Sequence, residues 1–329
     1  MIALFKQKSP GNVAILLIFG LLLKLPLFLQ PKWIVQTSSD GRLYEALVNW
    51  LKQSDSALIG SSIAFALLYI QALIINHTVN EYRMMAKQTF LPGMAFLLLT
   101  SLVPEWSYLS APLVASAFLV WGFSKLFELY NAASANTKIY NIGFLLGLAS
   151  FFYFPSLLFT ICILIGLAIL RPFRLNEFVL LLLGLLTPFY FLAVYLFLTD
   201  SFSISKLIPV LYIKALVSRP SYWLLASIIL AGVPFLMGGY YIQTQLRKML
   251  IQARKNWSIL LLYVLLAIFT PFVNIGTTYT PWMLAAAPVA AFHACAYLYP
   301  PRKWVAGGLF FIMLAFILIQ QYGAALWHR

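Results

Sequence analysis

The chain has 329 residues, of which 63% are hydrophobic and only 9% are charged. A soluble domain of this length could not present such a composition to water, so lipid must surround most of the chain. The formal net charge of +14 comes from basic residues that stand singly or in pairs between apolar runs, as membrane-flanking residues do. We therefore expect an all-α, polytopic transmembrane helix bundle with membrane lipids as partners and without a nucleic-acid-binding surface.

Eleven apolar stretches are candidates for membrane-spanning helices, each of which needs about 20 apolar residues. They cover residues 12–29, 57–76, 89–103, 108–127, 141–155, 156–170, 178–198, 222–242, 257–275, 282–299 and 304–327. Residues 141–170 leave two alternatives open, namely two short helices that turn near Pro155 or one long bent helix. We expect residues 1–329 to form a single transmembrane domain.

The distribution of Lys and Arg predicts the orientation, because basic residues near span ends favour the cytosolic side. With two short helices in 141–170 and a cytosolic N-terminus, most basic residues face the cytosol. One long helix would instead export the basic residues of 247–255. We therefore predict eleven spans, a cytosolic N-terminus, and two long non-cytosolic loops at residues 30–56 and 199–221.

The first long loop contains an amphipathic segment that begins after Gly41. Apolar residues recur at helical spacing from Leu43 to Leu51, while Glu45 and Lys52 lie on the opposite, polar face. This pattern predicts a short helix that lies on the outer membrane surface.

Two charged residues stand close to this predicted helix. Asp40 lies at its start, where a carboxylate could cap the free amides for about 1 kcal/mol or take part in chemistry. Lys24 lies near the outer end of the first span, where a charged side chain costs up to about 3 kcal/mol unless its stem reaches the interface by snorkelling. The residues alone favour the cap for Asp40 and leave both interpretations open for Lys24.

Three features of the N-terminal half carry a resemblance to a known superfamily. The first span ends with Lys24 and Pro26, the external Asp40 is followed by Tyr44 on the predicted surface helix, and residues 141–150 read NIGFLLGLAS, a stretch rich in small residues. Together they resemble the GT-C superfamily of polytopic glycosyltransferases, which use polyprenyl-phosphate-linked sugars. The resemblance implies a GT-C-like topology in the N-terminal half. The whole chain also resembles a group of Bacteroidota membrane proteins of no assigned activity, which implies a bacterial inner membrane.

The resemblance implies glycosyl transfer at the non-cytosolic face. Such a reaction needs a carboxylate base for the acceptor hydroxyl and cations that hold the departing phosphate. By the resemblance Asp40 is the candidate base, and Glu45 is the weaker choice because its position on the polar face directs it towards water. The candidate substrate-binding residues are Lys24, Glu45, Glu105, Lys206, Lys214 and Arg219. Each has a plain structural alternative: snorkelling for Lys24, exposure to water for Glu45, and an interfacial turn beside Trp106 for Glu105. For the three basic residues of the second loop the alternative is contact with lipid headgroups.

Other classes of protein are less compatible with the sequence or remain open. A transporter would use spans broken by Gly and Pro, but ionisable groups within the spans are almost absent. A histidine-bound iron centre is excluded because His77, His293 and His328 fall at different depths, and His293 is predicted to be a hydrogen-bonded packing residue. No metal or cofactor is expected. A non-catalytic membrane scaffold or assembly protein remains an alternative.

Overall fold

The part of the chain described by the computed structural model is helical. It comprises residues 2–7, 9, 11–32, 40–53, 56–200, 203, 221–272 and 279–327. Within these ranges the helices are α1 Ile2–Phe5, α2 Gly11–Leu23, α3 Leu25–Leu29, α4 Arg42–Gln53, α5 Ala57–Glu81, α6 Leu91–Leu102, α7 Ala111–Phe127, α8 Asn136–Phe152, α9 Phe159–Leu170, α10 Leu175–Leu198, α11 Tyr222–Gln245, α12 Ile251–Phe269, α13 Ala286–Leu298 and α14 Lys303–Trp327. Short 3-10 turns lie at Pro104–Ser107, Phe154–Leu158, Leu246–Lys248, Thr270–Phe272 and Thr280–Ala285. The described residues therefore confirm the predicted all-α bundle.

Six helical segments among the described residues are long and apolar enough to cross a membrane. They are Ala57–Glu81, Leu175–Leu198, Tyr222–Lys248, Ile251–Phe272, Thr280–Leu298 and Trp304–Gln321. Shorter apolar helices lie at Gly11–Leu23, Leu91–Leu102, Ala111–Phe127 and Phe154–Leu170, each within or overlapping a predicted span. The protein is therefore a multi-pass membrane protein, while the number of eleven spans stays a prediction.

The region 141–170 forms two helices, α8 and α9, separated by the 3-10 turn Phe154–Leu158. At the end of α9, Arg171 Nη1 donates to the carbonyl oxygens of Leu129 at 3.2 Å and Ala132 at 2.8 Å. Both carbonyls belong to the loop that precedes α8. The chain of α9 thus returns to the end of the bundle where α8 begins, as expected for two short antiparallel helices and not for one long helix.

Helices α8 and α10 pack more extensively than any other pair of described helices. Their backbones approach at glycines: a Cβ added at Gly143 would collide with the carbonyl oxygen of Leu181, and one added at Gly184 would collide with that of Tyr140. Small residues permit such close approach of membrane helices. The Oη atom of Tyr140 also lies 2.9 Å from Thr187 Oγ1 across the interface. The small-residue stretch 141–150 therefore has a packing role in this fold.

Substitution of Gly143 by Ala should destabilise the protein, because the added methyl group must push α8 away from α10. Overpacking of this kind costs about 1–3 kcal/mol. Gly122→Ala in α7 is the matched control, since a Cβ there meets nothing within 4 Å. The midpoint of thermal unfolding in detergent should fall for Gly143→Ala and stay or rise for Gly122→Ala. Equal midpoints for the two variants would contradict this account of the interface.

Several connections between helices meet at one end of the bundle, which we call the Asp40 end. Asp40 pairs with Tyr153 as an isolated antiparallel β-bridge. The hydroxyl of Tyr44 in α4 donates to the carbonyl oxygen of Leu109 at 3.1 Å, next to the turn Pro104–Ser107. The Asp40 end therefore contains α4, the turn that follows α6 and the turn that follows α8. The predicted topology places this end on the non-cytosolic side.

Candidate functional site

Asp40 is held tightly against the end of α8. In addition to the bridge with Tyr153, the amide of Gly41 donates to the carbonyl oxygen of Phe152 at 2.9 Å. A Cβ at Gly41 would collide with the carbonyl group of Phe151, so only glycine permits this approach. Asp40 itself is half-buried. Its backbone is thus fixed by α8, while its side chain keeps partial access to the surroundings.

Asp40 does not occupy the capping position of α4. The carbonyl oxygen of Gly41 accepts the first helical hydrogen bond, from the amide of Glu45 at 3.0 Å, which makes Gly41 the N-cap residue. Asp40 therefore precedes the cap by one residue, and glycine is itself accepted at an N-cap. The backbone N-cap is thus Gly41, while a capping role for the carboxylate of Asp40 stays a prediction.

The predicted surface helix exists as α4, but its packing face differs from the expected one. The side chains that it buries against the protein are Tyr44, Val48 and Leu51. Leu43 and Trp50, which were expected on the same apolar face, are exposed. The sequence pattern predicts which residues form the apolar face of the helix. It does not predict which of these residues contact the protein and which remain exposed.

Two tyrosine hydroxyls are close enough to Asp40 to be affected by its charge, those of Tyr44 and Tyr153. Burial raises the pKa of Tyr44, and the negative charge of Asp40 raises it further. Tyr44 therefore stays protonated at neutral pH and donates to Leu109, as described above. The hydroxyl of Tyr153 is buried and has no hydrogen-bond partner among the described residues.

Lys24 is buried at the break between α2 and α3, where the predicted first span is interrupted. Its side chain is only 1% exposed, and Nζ donates to the carbonyl oxygen of Thr100 and to Ser107 Oγ, both at 2.8 Å. The snorkelling interpretation is therefore wrong, because the amino group ends inside the protein. These bonds tie the first span to α6 and to the turn Pro104–Ser107.

Glu105 and Trp106 both form hydrogen bonds with the backbone of Tyr279. The carboxylate Oε2 of Glu105 accepts from the amide of Tyr279 at 3.0 Å, and the indole Nε1 of Trp106 donates to the carbonyl oxygen of Tyr279 at 2.9 Å. The ring of Tyr279 stacks on that of Trp282, with centroids 5.8 Å apart. Glu105 therefore has the structural task of a turn residue beside an aromatic cluster. Glu45, by contrast, is exposed on α4.

An apolar cavity of about 410 Å³ opens beside this aromatic cluster. Its walls come from α6, α11, α12, α13 and the turns at the Asp40 end, and they include Leu102, Trp106, Gly232, Phe235, Phe272 and Trp282. The hydroxyl of Ser227, which also lines it, donates to the carbonyl oxygen of Leu102 at 2.9 Å. Such walls suit a hydrocarbon chain and offer nothing to neutralise a charged ligand. The sequence contains no signal for this cavity, because it is formed by helices that are distant in the chain.

The structure brings three of the predicted site residues to the Asp40 end. Lys24 and Glu105 meet at the turn Pro104–Ser107, and Asp40 lies beside Tyr153. The remaining candidate cations lie outside the described residues; they are Lys206, Lys214 and Arg219. Sequence reasoning missed Tyr153 and Ser156, whose hydroxyls are buried in an otherwise apolar run.

No group of three or more His, Cys, Asp or Glu side chains that could hold a metal ion exists among the described residues. His293 is buried in α13, and its Nε2 lies 2.7 Å from the carbonyl oxygen of Ala231 in α11. The prediction that His293 is a hydrogen-bonded packing residue is confirmed.

Comparisons with known proteins place this geometry in context. A comparison with curated proteins gave no match. Among solved structures the chain is similar to ArnT from Cupriavidus metallidurans bound to undecaprenyl phosphate, with a TM-score of 0.54 and 12% sequence identity. The alignment covers 93% of this chain and 63% of ArnT, so the chain spans less than two thirds of the length of that protein. The likeness shows the fold and agrees with the GT-C-like arrangement expected from the sequence. A family model matches residues 42–325, so Lys24 and Asp40 lie outside the matched range. Because the match covers most of the chain, the chain belongs to the family of unknown function DUF6427.

Proposed function

We propose that this protein is a GT-C-type glycosyltransferase that uses a polyprenyl-phosphate-linked sugar at the non-cytosolic face of a bacterial inner membrane. The observation that carries the proposal is an apolar cavity at the Asp40 end of a fold similar to that of ArnT, whose structure was solved with undecaprenyl phosphate. ArnT is a GT-C glycosyltransferase. In this proposal the N-terminus lies in the cytosol and the Asp40 end faces outwards.

The proposed reaction assigns the role of general base to Asp40. Its carboxylate takes the proton of an acceptor hydroxyl while the acceptor oxygen forms a bond to the anomeric carbon of the sugar. The bond between that carbon and the phosphate oxygen breaks, and polyprenyl phosphate leaves with the electron pair. The position of Asp40 supports this role, because its backbone is held against α8 while its half-buried side chain can still reach an acceptor.

The cavity supports the lipid nature of the donor. Each CH₂ group that moves from water into apolar surroundings contributes about 0.8 kcal/mol, and a chain segment in a cavity of about 410 Å³ would gain packing contacts as well. Because the cavity lies beside the turn that contains Glu105 and Trp106, a chain bound there leaves its phosphate group at the Asp40 end. The geometry thus fits a ligand with a long apolar tail and a polar head.

Binding of undecaprenyl phosphate to two glycine variants tests the proposal. Gly232 lines the cavity, and a Cβ added there has no atom within 4 Å, so Gly232→Leu should fill part of the cavity. Gly239→Leu in the same helix is the matched control, because Gly239 also faces open space but does not line the cavity. Undecaprenyl phosphate at about 100 times its Kd should stabilise the wild type and the control by about 2.7 kcal/mol, which thermal unfolding in detergent would measure.

The expected result is that Gly232→Leu loses most of this stabilisation. If the lipid does not stabilise the wild type, the proposed function fails and the scaffold alternative gains support. If both variants respond like the wild type, the cavity is not the site of the lipid chain.

A further inference from the structure

Three connections between helices meet around Tyr299, at the end of the bundle opposite to the Asp40 end. The hydroxyl of Tyr299, which directly follows α13, accepts a hydrogen bond from the amide of Ala86 at 3.0 Å. Ala86 belongs to the loop between α5 and α6. The ring centroid of Tyr299 lies 6.3 Å from that of Tyr241, near the C-terminal end of α11. The loop after α5, the end of α11 and the turn after α13 are therefore neighbours.

Each of these three connections carries exposed basic residues. We call them the basic cluster: Arg83 and Lys87 in the loop after α5, Arg247 and Lys248 in the turn after α11, and Arg302 in the turn after α13. The ion pairs found within the described ranges involve other basic residues. Glu81, the last residue of α5, is the acid closest to the cluster in the chain, and it is exposed. The basic cluster therefore has a large excess of positive charge.

The composition of the basic cluster suits a phosphate group. Like charges repel each other over about 8 Å at physiological salt, and a bound anion relieves this repulsion. Lys and Arg side chains bind phosphate oxygens through charge-assisted hydrogen bonds. The hydroxyl of Tyr299 can add another hydrogen bond, because it accepts from Ala86 and keeps its own proton for donation.

Exposed apolar side chains border the cluster on two of the three connections. Tyr240 near the end of α11 is 67% exposed, and Trp304 at the start of α14 is 70% exposed. Leu250 and Ile251, which follow Lys248 closely, are exposed as well. Tyr and Trp are typical of the level of the lipid headgroups in a multi-pass membrane protein. A free phosphate ion would make no use of these side chains, whereas a phospholipid places its acyl chains against them.

We propose that the basic cluster binds the phosphate groups of an anionic phospholipid, whose acyl chains run along Tyr240 and Trp304. Basic pockets between membrane helices bind cardiolipin headgroups in this way, and cardiolipin is the probe of choice because it carries two phosphates. The site lies at the opposite end of the bundle from Asp40. It is therefore separate from the proposed site of sugar transfer and does not depend on the proposed function.

The test measures binding of cardiolipin to the purified full-length protein in detergent. The affinity follows from the rise of the thermal unfolding midpoint with cardiolipin concentration. Arg247→Gln and Arg302→Gln each remove one exposed charge of the cluster. Each should weaken binding about fivefold, the contribution of one basic residue next to an anionic lipid surface. Binding to the wild type should also weaken as the salt concentration rises.

Arg174→Gln is the matched control, because Arg174 is also exposed at this end but precedes α10, which packs chiefly against α8. Its affinity for cardiolipin should equal that of the wild type. Phosphatidylcholine, which is neutral, and inorganic pyrophosphate, which lacks acyl chains, should leave the midpoint unchanged. No response of the wild type to cardiolipin, or an equal loss of affinity in Arg174→Gln, would overturn the site. A response to pyrophosphate as large as that to cardiolipin would overturn the assignment to a lipid.

Discussion

Asp40→Asn should lower the rate of sugar transfer by about 100- to 10,000-fold, the usual contribution of a general base. The amide cannot take the proton of the acceptor hydroxyl, although it has nearly the size and polarity of the carboxylate. The variant should fold normally, because the substitution leaves the backbone contacts of Asp40 and Gly41 with α8 unchanged. Release of undecaprenyl phosphate from undecaprenyl phosphate glucose, in proteoliposomes made with native membrane lipids, would measure the rate.

Glu45→Gln is the control for this experiment. Glu45 lies on the first turn of α4, but it is exposed, so its substitution should leave the rate unchanged. Full activity of Asp40→Asn would remove Asp40 as the base. Loss of activity only in Glu45→Gln would transfer that role to the second carboxylate.

Glu177→Ala should cause a large loss of stability at the opposite end of the bundle. Glu177 and Arg171 form an ion pair with a distance of 2.9 Å between Nη2 and Oε1, and their side chains are only 5% and 9% exposed. The Nε atom of Arg171 also donates to both carboxylate oxygens, at 3.2 and 3.0 Å. Removing one partner of a buried pair costs about 3–5 kcal/mol, because the other charge remains buried without compensation. Thermal unfolding in detergent would show the loss.

Glu128→Ala provides the comparison for Glu177→Ala. Glu128 pairs with Lys125 at 2.6 Å and with Lys138 at 3.0 Å, but these side chains are between 27% and 45% exposed. Exposed pairs contribute about 0–1 kcal/mol, so the midpoint should change little. If Glu128→Ala were as damaging as Glu177→Ala, burial would not be the reason for the strength of the Arg171 pair.

The positions of the helices could be predicted because the hydrophobic runs of the sequence are long and separated by polar residues. Residues 141–170 could form two short helices or one long helix, and the positive-inside rule favours two short helices. The contacts of Arg171 with the loop before α8 support that choice. The break of the first span at Lys24 was not predicted, since hydropathy does not reveal a partner such as Thr100, 76 residues away.

The site was only partly accessible from the sequence. Asp40 came from a family resemblance together with its position before an amphipathic helix. Ser156 gave no signal, because a serine in an apolar run has the same pattern whether its hydroxyl bonds to its own helix or remains unpaired. The cavity depends on how α6, α11 and α12 are spaced, and that spacing follows from packing and not from local sequence.

The bonds of the turn Pro104–Ser107 have a consequence for how the protein responds to its bilayer. Lys24 anchors this turn from the first span, and Glu105 and Trp106 extend the connection to Tyr279 at the wall of the cavity. Hydrogen bonds therefore connect the first span, the turn Pro104–Ser107 and the residues around Tyr279, which are distant in the sequence. The shape of the cavity wall should consequently depend little on membrane thickness, and the proposed lipid donor should bind equally well in thin and thick bilayers.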